Sequence, residues 1–247
     1  MTGAAWLAGG TWLFSEPQPG LRRLVDLAGL GWPALEVSAE GLRIAATCTI
    51  AELEAFAAPP ECQAAPLFAG CCRALLGSFK VWEMATVGGN VCLSLPAAPM
   101  LALTVALEGV AEIWSPDGTE RRVPMAAFTI GPQQTVLTPG ELLRAIDLPA
   151  AALQRRAALR QASLHVHGRS AALLVGTRGP GFTLTITAST GHPVQFTWPG
   201  WPDEAAVQDA IRTLPSTIWF DDVHGTPAWR RHMTRRLASE LWAELAS

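Results

Sequence analysis

Nothing between residues 84 and 107 carries a charge, and that stretch constrains the fold more than any other part of the chain. A segment so apolar must be hidden from water, in a bilayer or in a protein core. A membrane-spanning helix needs about 20 consecutive, predominantly apolar residues. Here Gly88, Gly89, Asn90, Ser94, Pro96 and Pro99 interrupt the run. The pattern therefore argues against a span and predicts a glycine loop followed by a buried helix over 96–107, its proline tolerated in the first turn. The composition agrees: 247 residues, 49% hydrophobic and only 16% charged, suit a compact protein and argue against disorder. A net charge of -3 makes a nucleic-acid partner a poor expectation.

Local patterns place further elements around that core. Residues 5–8 read as a strand ending in the Gly9-Gly10 turn, and 35–38 with 42–46 as a hairpin around Glu40-Gly41. Thr49 with Glu52 forms a capping-box pattern at the start of a short helix. Leu67, Cys71, Cys72 and Leu75 recur at helical spacing and predict a core face within 64–78. Residues 110–114 and 119–123 flank the turn sequence Ser-Pro-Asp-Gly. After Pro149 a linker or brief helix over 150–156 leads to an antiparallel pair, 182–189 with 194–198. The last helix begins at Thr226-Pro227, with Trp229, Met233, Leu237 and Leu241 on its buried face and Arg230, Arg231, Arg235 and Glu240 away from it. This order is that of an α+β protein.

Two glycine loops carry the candidate chemistry: AGGTWL at 8–13 and ATVGGN at 85–90. Glycine permits positive φ and close approach of a ligand to backbone N–H groups, which is what binding of a phosphate requires. Neither loop has the Gly-x-Gly-x-x-Gly or Walker spacing. Each alone is equally a tight turn, whereas two on one chain suit a pyrophosphate held between them.

The order AGGTWL, GLRIAATCTIAEL (41–53), ATVGGNVCLSLPAAP (85–99), ELLRAIDLP (141–149) and LRQAS (159–163) resembles the FAD-binding subunit of molybdenum hydroxylases. That is the xanthine dehydrogenase and carbon monoxide dehydrogenase family, and the resemblance covers nearly the whole chain. It implies a two-lobed FAD-binding domain of the vanillyl-alcohol-oxidase (PCMH) type over 1–150, N-terminally shortened. A C-terminal domain of antiparallel sheet with helices would follow over 156–247. It also implies the cofactor, FAD, and the site. Trp6, Leu7, Ala8, Gly9, Gly10, Thr11, Trp12 and Leu13 would offer amides to the pyrophosphate. Thr86, Gly88, Gly89 and Asn90 would complete the cradle and hold the adenosine side. Leu143 would touch the flavin, and Arg160 stands where the family has a lysine approaching the isoalloxazine; the alternative is a surface arginine beside Arg155 and Arg156.

By the same resemblance the chain passes electrons from a [2Fe–2S] partner through FAD to an external acceptor such as NAD+, a quinone or oxygen. A molybdopterin-binding large subunit and a [2Fe–2S] small subunit would be its partners, and hydroxylation would occur elsewhere. Departures from the family pattern are Trp12 after AGGT, Trp82-Glu83 for an Arg-Asn pair, Pro99 for an aspartate, and a start just before the first loop. They motivate a second reading, a scaffold subunit with weakened FAD binding. A third is a free-standing FAD oxidoreductase of related fold.

The remaining candidates have plain readings. Five cysteines without a CxxC pair support neither a disulfide framework nor an iron–sulfur or zinc site, and suit a reducing cytoplasm. The N-terminal MTGAAWLAGGTWLF lacks a basic n-region, which predicts no signal peptide. His165 and His167 read as a surface pair rather than a metal site, Asp221, Asp222 and His224 as a turn, and Cys71-Cys72 as a buried helix face. Trp198 and Trp201, around Pro199-Gly200, are candidates for exposed contact with a partner.

Overall fold

A computed structural model describes residues 3–246; Met1, Thr2 and Ser247 lie outside the described residues. The chain opens with β1 (Ala4–Leu7), which pairs in parallel with β2 (Arg23–Asp26). The hairpin β3 (Leu35–Ser38) and β4 (Gly41–Ala45) follows within a residue of its sequence-based bounds. Thr49 then caps α1 (Ile50–Glu54) with both arms of the capping box: its Oγ1 accepts from Glu52 N–H at 3.1 Å, and Glu52 accepts from Thr49 N–H at 2.8 Å. Next come α2 (Pro66–Ala74), which buries Leu67, Cys71 and Cys72 as the spacing implied, and α3 (Phe79–Met84).

The charge-free stretch becomes two helices, α4 (Val87–Leu93) and α5 (Pro99–Ala106). The second glycine pair thus lies in the first turn of a helix and not in a loop. Thr86 is the reason: its Oγ1 accepts from Gly89 N–H at 3.0 Å and closes the N-terminus. Helix α5 starts at Pro99, three residues later than the expectation, and every residue of it is buried. The one polar member, Thr104, turns its hydroxyl back onto Met100 O at 2.7 Å, so this buried donor is paired within its own helix.

Strands β5 (Val110–Trp114) and β6 (Glu120–Pro124) form the expected hairpin. Short α6 (Met125–Phe128), β7 (Thr129–Gly131) and β8 (Gln134–Thr135) lead to β9 (Leu142–Pro149). The first large sheet is antiparallel throughout, in the order β3-β4-β9-β5-β6. The brief α7 (Ala150–Leu153) connects it to a four-stranded antiparallel meander of β10 (Arg156–Ala162), β11 (Ala172–Arg178), β12 (Phe182–Thr187) and β13 (Val194–Trp198). Helices α8 (Glu204–Arg212) and α9 (Pro227–Ala246) complete the α+β fold. None of the helices among the described residues is long and apolar enough to cross a membrane.

The meander is buried on both faces, which explains the near-continuous burial of β11 and β12. Successive residues of β11 alternate: Leu173 and Val175 join the core around Ile44, Leu103 and Phe128, whereas Ala172 and Leu174 join a second core with Leu237 and Leu241. Helix α5 packs on one face and α9 on the other. The segments before and after residue 150 therefore share one core.

Two expectations are corrected here. The buried stripe of α9 runs through Arg230, Thr234, Leu237, Ala238, Leu241 and Leu245, leaving Trp229 and Met233 half-buried at its border. Arg230 is 1% exposed because its guanidinium answers carbonyls of the meander and the Asp222 carboxylate. Trp198 and Trp201 are not free surface either. They pack on Phe182, at 5.7 and 5.1 Å between ring centroids, and Trp201 also meets Trp242 and the Arg178 guanidinium.

Candidate functional site

The two glycine segments meet because Gly9 has no side chain. A Cβ on it would lie 1.6 Å from the Met84 carbonyl oxygen, so the first loop rests directly on the backbone that leads into Thr86. Gly10 follows with φ +71°, a left-handed turn that aims the chain away from β1. The strand behind the loop is held by Trp6, whose Nε1 donates to Glu141 O at 2.9 Å. Gly88 does comparable work on the other side. A Cβ there would sit 2.5 Å from Ala46 Cβ, so α4 lies flush on the chain just after β4.

Between the loops lies a cavity of about 560 Å³, within the usual range for a cofactor site. Its walls include all eight residues expected of the first loop (Trp6, Leu7, Ala8, Gly9, Gly10, Thr11, Trp12, Leu13) together with Thr86, Gly89 and Asn90. Three expected residues are not on it. Gly88 packs against Ala46 instead, because the cap on α4 turns it inward. Leu143 is 2% exposed and faces the hydrophobic core: β9 is paired on both edges, and alternation sends this side chain into the interior. Arg160 on β10 is drawn to α9, where it pairs with Glu240 at 3.7 Å and with Glu244.

The two loops do different work. Among the described residues the N–H groups of Gly10, Thr11 and Trp12 donate to no carbonyl, while the Gly10 and Trp12 carbonyls accept from Phe14 and Ser15 at 2.9 and 3.0 Å. Those free donors line the cavity and suit an anionic oxygen. The second segment has spent its donors: Val87 on Cys48 O, Gly88 on Ala46 O, Gly89 on Thr86 Oγ1 and Asn90 on Thr86 O. Asn90 Oδ1 is used as well, accepting from Met100 N–H at 3.1 Å. The second segment thus supplies mainly shape, with the Asn90 amide nitrogen and the Thr86 hydroxyl as the side-chain donors that have no acceptor among the described residues.

Arg169 and Ser170 also line the cavity, and sequence reasoning did not single them out. They arrive by the turn between β10 and β11, anchored by Gly168 N–H to His165 O at 2.8 Å and Ala171 N–H to Ala162 O at 2.8 Å. No local pattern signals this, because the two loops and the turn meet only in the folded chain. A smaller pocket of about 140 Å³ adjoins the cavity through Leu95, Ala97, Arg169 and Ser170, and reaches Asp222, His224 and Arg230. Asp222 therefore does more than shape a turn.

The other candidates lie outside this chemistry. His165 and His167 are exposed on their turn, and among the described residues no group of three or more His, Cys, Asp or Glu could hold a metal ion. Cys71 and Cys72 face the core, and burial pushes both thiols up, Cys72 to about 12. Cys92 lines the cavity, with its thiol also pushed up by burial to about 12.

The cavity floor depends on a buried carboxylate. Glu141, whose backbone receives Trp6, holds Arg121 through two hydrogen bonds of 2.7 Å and accepts from Thr138 N–H. The Arg121 guanidinium, with the Thr138 amide, lowers its carboxyl from 4.5 to about 2. A depressed carboxylate contributes stability that is complete above its unfolded value and is lost as pH falls through the folded one. Acid unfolding is therefore expected to draw on Glu141 between about pH 4.5 and 2. Glu141→Gln should cost roughly 1–3 kcal/mol at pH 7 and flatten the acid limb of a denaturation-versus-pH curve. An unchanged limb would show that the pair does not matter.

Comparisons with known proteins place the family and the fold. A model of the FAD binding domain in molybdopterin dehydrogenase matches residues 2–151. Xanthine dehydrogenase of Oryza sativa subsp. japonica is 26% identical over 121 residues, 47% of this chain, which spans only 9% of that protein's length. Carbon monoxide dehydrogenase from Hydrogenophaga pseudoflava, in a form lacking the Mo-pyranopterin moiety, has a chain that superposes with TM-score 0.82 at 22% identity, covering 98% of this chain and 90% of that one. Reconstituted CO dehydrogenase from Oligotropha carboxidovorans gives 0.80 at 23%, with coverage of 98% and 90%. Quinoline 2-oxidoreductase from Pseudomonas putida 86 gives 0.78 at 20%, with coverage of 99% and 91%. At such identities the structural likeness is one of fold.

Proposed function

The chain belongs to the family of FAD-binding domains of molybdopterin dehydrogenases, and from that membership we propose that it is the FAD-carrying electron-transfer subunit of a molybdenum hydroxylase. Its partners on this reading are a molybdopterin-binding subunit and a [2Fe–2S] subunit, and the final acceptor is an external molecule such as NAD+, a quinone or oxygen. The observation that carries the reading is the meeting of the free amides of Gly10, Thr11 and Trp12 with the wall of Thr86, Gly89 and Asn90 around one cavity.

The residues present fit the cofactor. The first-loop N–H groups would receive the diphosphate oxygens, with the Thr11 hydroxyl and the Asn90 amide as further donors. Gly89, exposed and without a Cβ, keeps the opposite wall low. Leu75, Leu76, Leu93 and Leu95 give the cavity an apolar lining that excludes water and fixes orientation. FAD, when bound, interconverts one-electron and two-electron transfer, which suits a post between an iron–sulfur cluster and a two-electron acceptor. The protein's share is to bind, orient and set the local field.

Three of the departures from the family pattern lie away from the cavity, whereas Trp12 stands on its wall, and the scaffold reading rests on that residue. Trp82 donates to Leu75 O at 3.2 Å, Glu83 is exposed and Pro99 is buried at the start of α5, so none of them lines the cavity. Among the described residues no carboxylate lines the cavity, so a free-standing FAD oxidoreductase would have to protonate its substrate from a hydroxyl or thiol there.

The test is the absorption spectrum of the chain purified with whatever accompanies it, followed by release and identification of the chromophore. About one FAD per chain, with iron–sulfur absorbance from a partner, is the expected result. A flavin-free intact assembly would leave only the scaffold.

A further inference from the structure

We propose that Arg169 is the cation that recognises the diphosphate of the bound FAD, an inference that rests on the FAD reading above. Among the described residues, Arg169 is the one ionised side chain lining the cavity; every other lining residue is apolar or carries a neutral dipole. Arg169 forms no hydrogen bond and no ion pair among the described residues, unlike Arg43, Arg121, Arg160 and Arg230, each of which is held by a carboxylate. Its guanidinium stands 6.0 Å from the centroid of the Trp12 ring, beside the loop whose Gly10, Thr11 and Trp12 amides are free. The backbone that delivers it is fixed on both sides, by the Gly168 and Ala171 hydrogen bonds and by Ser170, which is buried and donates to Gln161 at 3.3 Å. Neutral dipoles can orient a diphosphate; only a net charge answers its two negative charges, and a guanidinium matches phosphate oxygens in pairs. Residues of the β10–β11 turn would thus close over a ligand seated on the first loop, and Trp12, a departure from the family pattern, becomes the surface that steers the arginine.

The experiment compares FAD with riboflavin, which has the same ring and no phosphate, by titration onto the flavin-stripped full chain. Arg169→Gln should weaken FAD about 10- to 30-fold and leave riboflavin unchanged, with Arg169→Lys in between. In the unmodified chain, raising the chloride concentration should weaken FAD far more than riboflavin; this readout needs no variant. The proposal is overturned if Arg169→Gln binds FAD with full affinity, if it loses FAD and riboflavin alike, or if salt affects the two equally. An unmodified chain that binds no FAD, alone or with its accompanying subunits, overturns the FAD reading itself, a failure visible before any variant is made.

Discussion

Arg230→Met is expected to lower the unfolding free energy by about 3–5 kcal/mol, because it leaves three carbonyls in the interior without their donor. The Arg230 side chain is 1% exposed. Its Nε donates to Gly225 O at 2.9 Å and its Nη1 to Ala171 O at 2.8 Å and to the Ala188 carbonyl. Nη2 pairs with Asp222, and the guanidinium lies 5.5 Å from the Phe220 ring. One side chain therefore ties α9 to β11, to the end of β12 and to the loop before the helix. Methionine fills much of the volume but leaves three carbonyls without this donor and the Asp222 carboxylate with the His224 N–H at 2.8 Å as its remaining one. Asp222→Asn removes the charge partner and keeps the shape, and is expected to cost less, since a carbonyl oxygen still accepts. The double variant should lose less than the sum of the singles, the signature of a direct pair. Urea denaturation midpoints of the four proteins measure this, and additive losses would refute the coupling. Because Arg230 also borders the small pocket beside Arg169, the variant should loosen that wall of the cavity too.

Gly9→Ala carries the largest expected effect on cofactor binding, a loss of about 100-fold in FAD affinity, or roughly 2.7 kcal/mol. The added methyl would lie 1.6 Å from the Met84 carbonyl oxygen and 2.6 Å from its carbon, and both are backbone atoms that cannot rotate aside. The first loop must lift from the second, and the free amides then lose their aim. Gly10→Ala is the control. Its methyl meets side chains alone, the ring of Phe14, which is 70% exposed and free to swing away, and the tip of Leu7 at 3.1 Å, which must give by a few tenths of an ångström. What remains is the strain of φ +71°, worth about 1–2 kcal/mol of stability. Flavin content after purification and equilibrium titration, with circular dichroism as a check on folding, separate the two. Equal losses at both positions would mean that the contact with Met84 is not what joins the loops.

Much of the architecture was legible because it is local. The capping box at Thr49, the turn at 115–118 and the hairpin at 182–198 each place their own hydrogen-bonding partners within a few residues. The two glycine segments were visible for the same reason, and the family resemblance joined them to one cofactor. The placements that were not legible share a cause as well. Leu143 and Arg160 were assigned by motif, yet the face a strand residue takes depends on its partners: β9 has neighbours on both edges, and β10 lies under α9. Arg230 read as a solvated helix position because a period counts apolar residues and cannot see a charge whose partners arrive from residues 171, 188 and 222.

The sequence by itself determined that this chain would hide a charge-free core, carry two glycine pairs on one scaffold and follow an α+β order of elements. Those properties follow from short-range sterics and from the need to remove apolar side chains from water. Which amides stay free, which arginine faces the cavity and which is buried were decided by the tertiary structure alone. Each depends on whether a donor finds an acceptor brought from a distant part of the chain, and only the closed fold settles that pairing.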